Sequence, residues 1–115
     1  MQILKETWVT PEGKAKVKIR QWYKDNLPGH WRVSPRGGPF GKAGTPDDLL
    51  CWRGVFIAIE IKSDVGSTTA LQNVQLKLIQ QAGGVAAVVR GYDVARLEAI
   101  KAAAHFKSLQ LSMPL

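Results

Sequence analysis

The sequence predicts an α/β fold in which a mixed β-sheet is flanked by helices. The periodic segments follow the order helix, three strands, helix, strand, helix, which is typical of that class. Residues 85–89 form a continuous apolar run, the pattern of a strand that is buried on both faces. A chain of 115 residues with 45% hydrophobic content can build one modest core. We therefore expect a single domain over residues 1–115.

The first helix is predicted from Pro11 to about Asn26. Thr10 is suited to the N-cap, Pro11 to the first helical position, and Pro28 with Gly29 ends the segment. By the helical period, the apolar face carries Ala15, Ile19, Trp22 and Tyr23, with Glu12 at its leading end. Glu12 either points inward along this face or simply interacts with the helix dipole.

A β-hairpin is predicted in the middle of the chain. After a short strand over 30–34 and a Gly- and Pro-rich loop, two β-rich runs, 49–52 and 55–62, flank an Arg-Gly turn. Alternation along the second strand places Glu60 and Lys62 on one face, and Ile59 and Ile61 on the other. Cys51 lies inside the first of these strands and is expected in the core.

The C-terminal half adds a helix, a strand and a helix. The middle helix is predicted from about Thr69 to Gln81, and the strand covers 85–90. The last helix follows an Asp93 cap and extends to about Phe106. The inward stripe of the middle helix is predicted to be Leu71, Val74, Leu78 and Ala82, reinforced by Ile79. For the last helix it is Val94, Leu97, Ile100 and Ala104.

Composition narrows the classes of function. The net charge is +7 and the pI about 9.9, and residues 1–36 hold half of the basic but a third of the acidic residues. Such a surface attracts phosphate backbones, although it is also compatible with a solvated basic face. No apolar run approaches the roughly 20 residues needed to span a bilayer. With one cysteine and no signal-peptide pattern at the start, we expect an intracellular, cytoplasmic protein of a bacterium or a phage-infected cell.

The acids around the hairpin indicate chemistry. Glu60 and Lys62 share a strand face, and Asp47 at the start of the neighbouring strand could approach them. Burying an acid beside a lysine is costly unless the two pair or bind a metal. Two carboxylates and an amine at a sheet edge suit a hard divalent cation and an activated water. Taken alone, Glu60 and Lys62 are better explained as a same-face salt bridge at the end of a strand.

The chain contains an ordered set of motifs: the turn Gly44-Thr45-Pro46-Asp47, the strand Glu60-Ile61-Lys62, the helix start Thr69-Ala70-Leu71-Gln72, the Ala82-Gly83-Gly84 stop and the strand end Val88-Val89-Arg90. This set resembles a known family, the virus-type replication-repair nuclease (VRR-Nuc) domain of the PD-(D/E)xK superfamily. The motifs cover about the last two-thirds of the chain. The resemblance implies a restriction-endonuclease-like core and cleavage of DNA with Mg²⁺, for which Mn²⁺ substitutes.

The resemblance also implies roles for particular residues. Asp47, Glu60 and the Ile61 carbonyl would bind the metal, with Glu12 as an additional ligand. Lys62 would orient or deprotonate the attacking water, and Gln72 would hold the site or contact the phosphate. Family members usually follow Pro-Asp with apolar residues, whereas Asp48 intervenes here and could exchange roles with Asp47. The residues we expect to contact DNA are Lys14, Lys18, Arg36, Lys42 and Arg90.

Three functions follow in order. The first is a structure-selective endonuclease that acts on branched DNA as a homodimer, similar to Holliday junction resolvases. The second is a restriction-type enzyme that reads sequence, although no dedicated recognition segment is evident. The third is a nucleic-acid-binding module without catalysis, which would be marked by the loss of an acid or of the lysine. The intact set argues against this third possibility.

Overall fold

The computed structural model of the protein describes residues 10–35 and 42–112. Three helices and four strands are present in these ranges, and the α/β fold class is confirmed. The elements, in chain order, are α1 (Pro11–Asn26), β1 (Trp31–Val33), β2 (Asp48–Trp52), β3 (Val55–Lys62), α2 (Ala70–Gln81), β4 (Val85–Arg90) and α3 (Val94–Leu111).

The four strands form one mixed sheet in the order β1-β2-β3-β4. β1 and β2 pair antiparallel, as do β2 and β3, whereas β3 and β4 run parallel. The β2–β3 hairpin turns at Arg53 and Gly54, whose φ angles are 52° and 81°. Two consecutive left-handed residues are the geometry that suits a tight hairpin, and the predicted turn is therefore confirmed.

One face of the sheet, which we call the α1–α3 face, is covered by α1 and α3. The predicted inward face of α1 is confirmed, since all four of its apolar residues are buried there. In α3, Leu97, Ile100 and Ala104 are buried, whereas the prediction for Val94 is wrong, because it is 43% exposed in the first turn. The helix also extends beyond Phe106 to Leu111, since no Gly or Pro interrupts it before Pro114.

The other face is covered by α2 alone, and here the predicted stripe is wrong. Leu71, Val74 and Leu78 are each about half exposed, while Leu76 is buried and Ile79 packs against Ala58 and Ala86. The helix is rotated so that Gln72, Leu76 and Ile79, rather than the Leu71 row, face the sheet. The periodic pattern identifies a helix with more apolar residues than one sheet contact uses, so it did not determine which row is buried.

Because α2 lies over β3 and β4, no helix within residues 10–35 and 42–112 covers the β1–β2 half of that face. Cys51 and Trp31, which are register partners on β2 and β1, are both exposed. The prediction that Cys51 is a core residue is therefore wrong, and the reason is again the limited width that one helix covers. No helix among the described residues is both long and apolar enough to cross a membrane.

Candidate active site

A tight approach between a loop and α2 determines where the first acidic residue lies. Gly44 has a φ angle of +80°, and a Cβ atom built on it would lie 2.6 Å from the backbone carbonyl carbon of Leu71. Only glycine combines this backbone conformation with so close a contact. The chain then passes through the buried Pro46 and delivers Asp47 to the carboxyl-terminal end of β3.

The Asp47 carboxylate binds the backbone of β3. Its Oδ2 atom accepts a hydrogen bond from the Ile61 N–H at 2.8 Å, beyond the last β2–β3 register pair, which joins Asp48 to Ile59. The N–H and C=O of one strand residue point to the same edge. The Ile61 carbonyl therefore faces the same side of β3 as Asp47, as the predicted ligand role requires.

Asp48 points to the α1–α3 face of the sheet and is fully buried there. Its oxygens accept hydrogen bonds from the Arg20 guanidinium (2.9 Å), the Tyr23 hydroxyl (2.9 Å) and the Ser34 hydroxyl (2.7 Å), and Arg32 lies 3.6 Å away. Burial, and then the charge of Asp48, strongly raises the pKa of Tyr23, so this hydroxyl remains a donor. Asp48 thus connects α1 to β2, and Asp47 is the acid that faces Glu60.

Glu60 is a buried acid whose donors are incomplete. Its Oε1 atom accepts from the Gln72 amide at 3.1 Å and lies 3.7 Å from Lys62 Nζ. Its Oε2 atom is buried, and no described donor reaches it. Burial and then the neighbouring Asp47 carboxylate raise the pKa of Glu60 to about 8, despite the opposing effect of Lys62. The ionised form of Glu60 is therefore disfavoured both by its burial and by the negative charge of Asp47.

Gln72 connects the start of α2 to Glu60. Its Oε1 atom accepts from the Thr69 N–H at 2.9 Å, and the Thr69 hydroxyl accepts from the Gln72 N–H at 3.2 Å, which completes a capping box. With the amide oxygen engaged in this way, the amide NH₂ group is directed at Glu60. The Thr-x-Leu-Gln motif is therefore both a helix cap and a device that orients an acid.

Lys16 is the residue of the site that the sequence analysis missed. Its Nζ atom lies 3.2 Å from Asp47 Oδ1 and 3.5 Å from Glu12 Oε2. Burial lowers the pKa of Lys16, but the hydrogen bonds and charges of Asp47 and Glu12 outweigh that effect and raise it. The available signal was its position four residues after Glu12 on the helix, which places the two side chains together.

The residues present could hold a divalent cation with two carboxylates and one backbone carbonyl. Within residues 10–35 and 42–112, no group of three or more His, Cys, Asp or Glu side chains is arranged to hold one ion. Glu12 instead contacts Lys16 and is 40% exposed. The remaining candidate ligands are the carboxylates of Asp47 and Glu60 and the backbone carbonyl of Ile61. The Oε2 atom of Glu60 is buried and has no donor among the described residues. Mg²⁺ typically binds one or two carboxylates and keeps several waters, so this oxygen set is sufficient.

The structure shows where four of the five predicted DNA-contact residues lie. Lys14, Lys18 and Lys42 are exposed, as such contacts require, whereas Arg36 lies outside the described residues. Arg90 is exposed, but its Nε atom donates to the Gly66 carbonyl at 3.1 Å. It therefore holds the loop that joins β3 to α2, and only the rest of its guanidinium group is available to a ligand.

Comparison with known proteins agrees with the observed fold. A solved structure titled "VRR_NUC domain" superimposes on this chain with a TM-score of 0.62, and the match covers 81% of this chain and 92% of the other. The sequences are 20% identical over the match. No protein-family model and no curated protein sequence matches the chain. The chain therefore has the fold of that domain, as the resemblance predicted.

Proposed function

We propose that this protein is a metal-dependent DNA endonuclease of the VRR-Nuc type that hydrolyses phosphodiester bonds with Mg²⁺. The observation that carries the proposal is the unsatisfied Oε2 atom of Glu60, which lies in a cluster with Asp47 and Lys62. An ionised, buried carboxylate oxygen without a donor is costly, so in the metal-free fold Glu60 favours its protonated form, and a bound cation would stabilise the ionised form instead. The shared fold with a VRR_NUC domain structure supports the same function.

Each residue has a task in this proposal. Asp47, Glu60 and the Ile61 carbonyl would hold the cation, which would supply positive charge to the developing phosphoryl transition state and lower the pKa of a nearby water. Gln72 fixes Glu60 in a single orientation through its amide. The Lys62 side chain, 3.7 Å from Glu60, would stabilise negative charge and orient the attacking water as an ammonium, or deprotonate that water as a neutral amine.

The proposed substrate is DNA, with a preference for branched forms. The net charge of +7 and the exposed lysines of α1 support binding to a phosphate backbone through counterion release. The described residues form one small sheet with three helices and contain no additional recognition module, so selectivity would come from the shape of the DNA.

We also propose that the enzyme acts as a homodimer, as the resemblance to Holliday junction resolvases implies. Two active sites related by a two-fold axis could cut opposing strands symmetrically. The exposed apolar side chains of Leu71, Val74 and Leu78 on α2 provide surface that a second copy could bury. Sedimentation of the purified protein at several concentrations tests this part of the proposal independently of cleavage.

A cleavage assay tests the activity. Purified protein is incubated with four-way junctions, flaps, single strands and plain duplex, with Mg²⁺, Mn²⁺ or EDTA. We expect cleavage that requires the metal and is fastest on branched DNA. Asp47→Ala and Lys62→Ala should abolish cleavage while DNA binding in a gel-shift assay is retained.

The outcomes separate the alternatives. Cleavage of plain duplex at one sequence would favour a restriction-type enzyme, and DNA binding without cleavage under any metal would favour a non-catalytic module. Wild-type rates in either variant would contradict the assigned site. Lys24→Ala, which removes an exposed lysine at the far end of α1, is the control for loss of positive charge.

A further inference from the structure

Lys16 places a positive charge beside two acids of the site, Asp47 and Glu12. Glu12, Asp47 and Glu60 contribute three acidic groups, of which Glu60 has Lys62 as its neighbour at 3.7 Å. Lys16 is the positive group beside the other two, at 3.2 Å from Asp47 and 3.5 Å from Glu12. It comes from α1, whereas Asp47 immediately precedes β2 and Glu60 lies on β3.

The contacts of Asp47 leave little room for two cations. Its Oδ2 atom accepts the Ile61 N–H, and Lys16 occupies Oδ1. An ammonium and a divalent cation on the same carboxylate repel each other strongly at contact distance. A metal that uses the free electron pairs of Asp47 would therefore act against Lys16 unless the ammonium moves.

Lys16 also has an alternative partner to which it could move. Glu12 precedes it by one helical turn, its carboxylate is 40% exposed, and the two side chains already form an ion pair. The lysine side chain is flexible and carries a compact charge, so its ammonium can move from one acid to the other without a change in the helix.

We propose that Lys16 is a built-in counter-ion that competes with the divalent cation for Asp47 and thereby sets the metal affinity of the site. In the metal-free protein the Lys16 ammonium neutralises Asp47; when the metal binds, the ammonium is displaced towards Glu12. This inference rests on the proposed metal site. It also gives Glu12 a different role from the predicted one, as a partner of Lys16 rather than a metal ligand.

Direct measurement of Mn²⁺ binding tests the proposal without any cleavage assay. The electron paramagnetic resonance signal of free Mn²⁺ is followed while wild type, Lys16→Met and Lys24→Met are added at equal ionic strength. We expect Lys16→Met to bind Mn²⁺ about tenfold or more tightly than wild type, since the competing charge is removed. Lys24→Met removes the same charge at an exposed position on α1 and should leave the affinity unchanged.

Thermal unfolding provides the second readout. Without metal, Lys16→Met should unfold at a lower temperature than wild type, because Asp47 loses its counter-ion. Saturating Mn²⁺ should raise the unfolding temperature of the variant by more than that of wild type. If Lys16→Met does not fold, Lys16→Gln, which keeps a donor of similar length without the charge, is measured in the same way.

The failure of this inference is distinguishable from failure of the proposed function. Wild-type binding of Mn²⁺ that is abolished by Asp47→Asn, combined with equal or weaker binding by the Lys16 variants, would overturn the counter-ion role alone. Absence of Mn²⁺ binding in wild type and in all Lys16 variants would overturn the metal site and, with it, both proposals.

Discussion

Replacing Asp48 or Asp47 by asparagine should have opposite effects on stability and activity. Asp48→Asn should destabilise the fold but still cut DNA, whereas Asp47→Asn should stay stable but lose cleavage. Asp48 is fully buried and accepts from three side chains, including the charged Arg20. In Asp48→Asn, the guanidinium of Arg20, which is 29% exposed, loses its counter-charge; breaking a fully buried pair costs about 3–5 kcal/mol, which sets the upper end for this part-buried one. Since a small domain is stable by about 5–15 kcal/mol, much of its stability would be lost.

Asp47→Asn should behave differently. The Asp47 side chain is 22% exposed, and its ion pair with Lys16 is partly screened by solvent. The substitution also removes the negative charge that disfavours ionisation of Glu60. We expect its free energy of unfolding to remain within about 1 kcal/mol of wild type. Cleavage and Mn²⁺ binding should nevertheless disappear, because one of the two proposed metal carboxylates is gone.

The free energy of unfolding is measured by urea unfolding followed by tryptophan fluorescence. Trp22 is a suitable reporter because it lies beside Tyr23 in the core. Both variants and wild type are compared in EDTA, and cleavage is then measured at a temperature where all remain folded. Under those conditions Asp48→Asn should still cut DNA. A stable but inactive Asp48→Asn, together with an unstable but active Asp47→Asn, would contradict our assignment of the two acids.

Three further predictions follow from the site. Without metal, the free energy of unfolding should fall as the pH rises from about 4.5 to about 8. Over this range the folded state keeps a proton on Glu60 that the unfolded chain has released. Urea titrations of Glu60→Gln should lack this pH dependence. Gly44→Ala should lose about 2 kcal/mol or more, whereas Gly29→Ala, whose φ angle is also positive but whose Cβ atom meets nothing within 4 Å, should lose less. The difference in their urea midpoints isolates the contact with α2, and equal losses would contradict it. Gln72→Ala should weaken Mn²⁺ binding about 10- to 100-fold, as loss of a supporting hydrogen bond typically does, whereas Thr69→Ala removes the helix cap alone and should weaken it far less.

Local signals in the sequence predicted most of the fold. Thr10, Thr69 and Asp93 each accept a backbone N–H as N-caps, so the predicted helix starts are within one residue of those observed. The alternation of β3 correctly placed Glu60 and Lys62 on one face, where their side chains form an ion pair. Such features depend on a few neighbouring residues, and a single sequence contains them.

Features that depend on contacts between distant segments were not predicted. Which row of α2 is buried depends on Gln72 meeting Glu60, and the exposure of Cys51 depends on how much of the sheet one helix covers. The bridge from Lys16 to Asp47 joins residues that are 31 positions apart. Nothing near Lys16 in the sequence distinguishes it from the other lysines of α1, apart from its distance to Glu12.

A crystal structure with Mn²⁺, analysed by anomalous scattering, would test the metal site most directly. We predict one strong anomalous peak within coordination distance of the Asp47 and Glu60 carboxylates and the Ile61 carbonyl, with Lys62 nearby. No peak at that position at saturating Mn²⁺, while Lys16 keeps its contact with Asp47, would contradict the account.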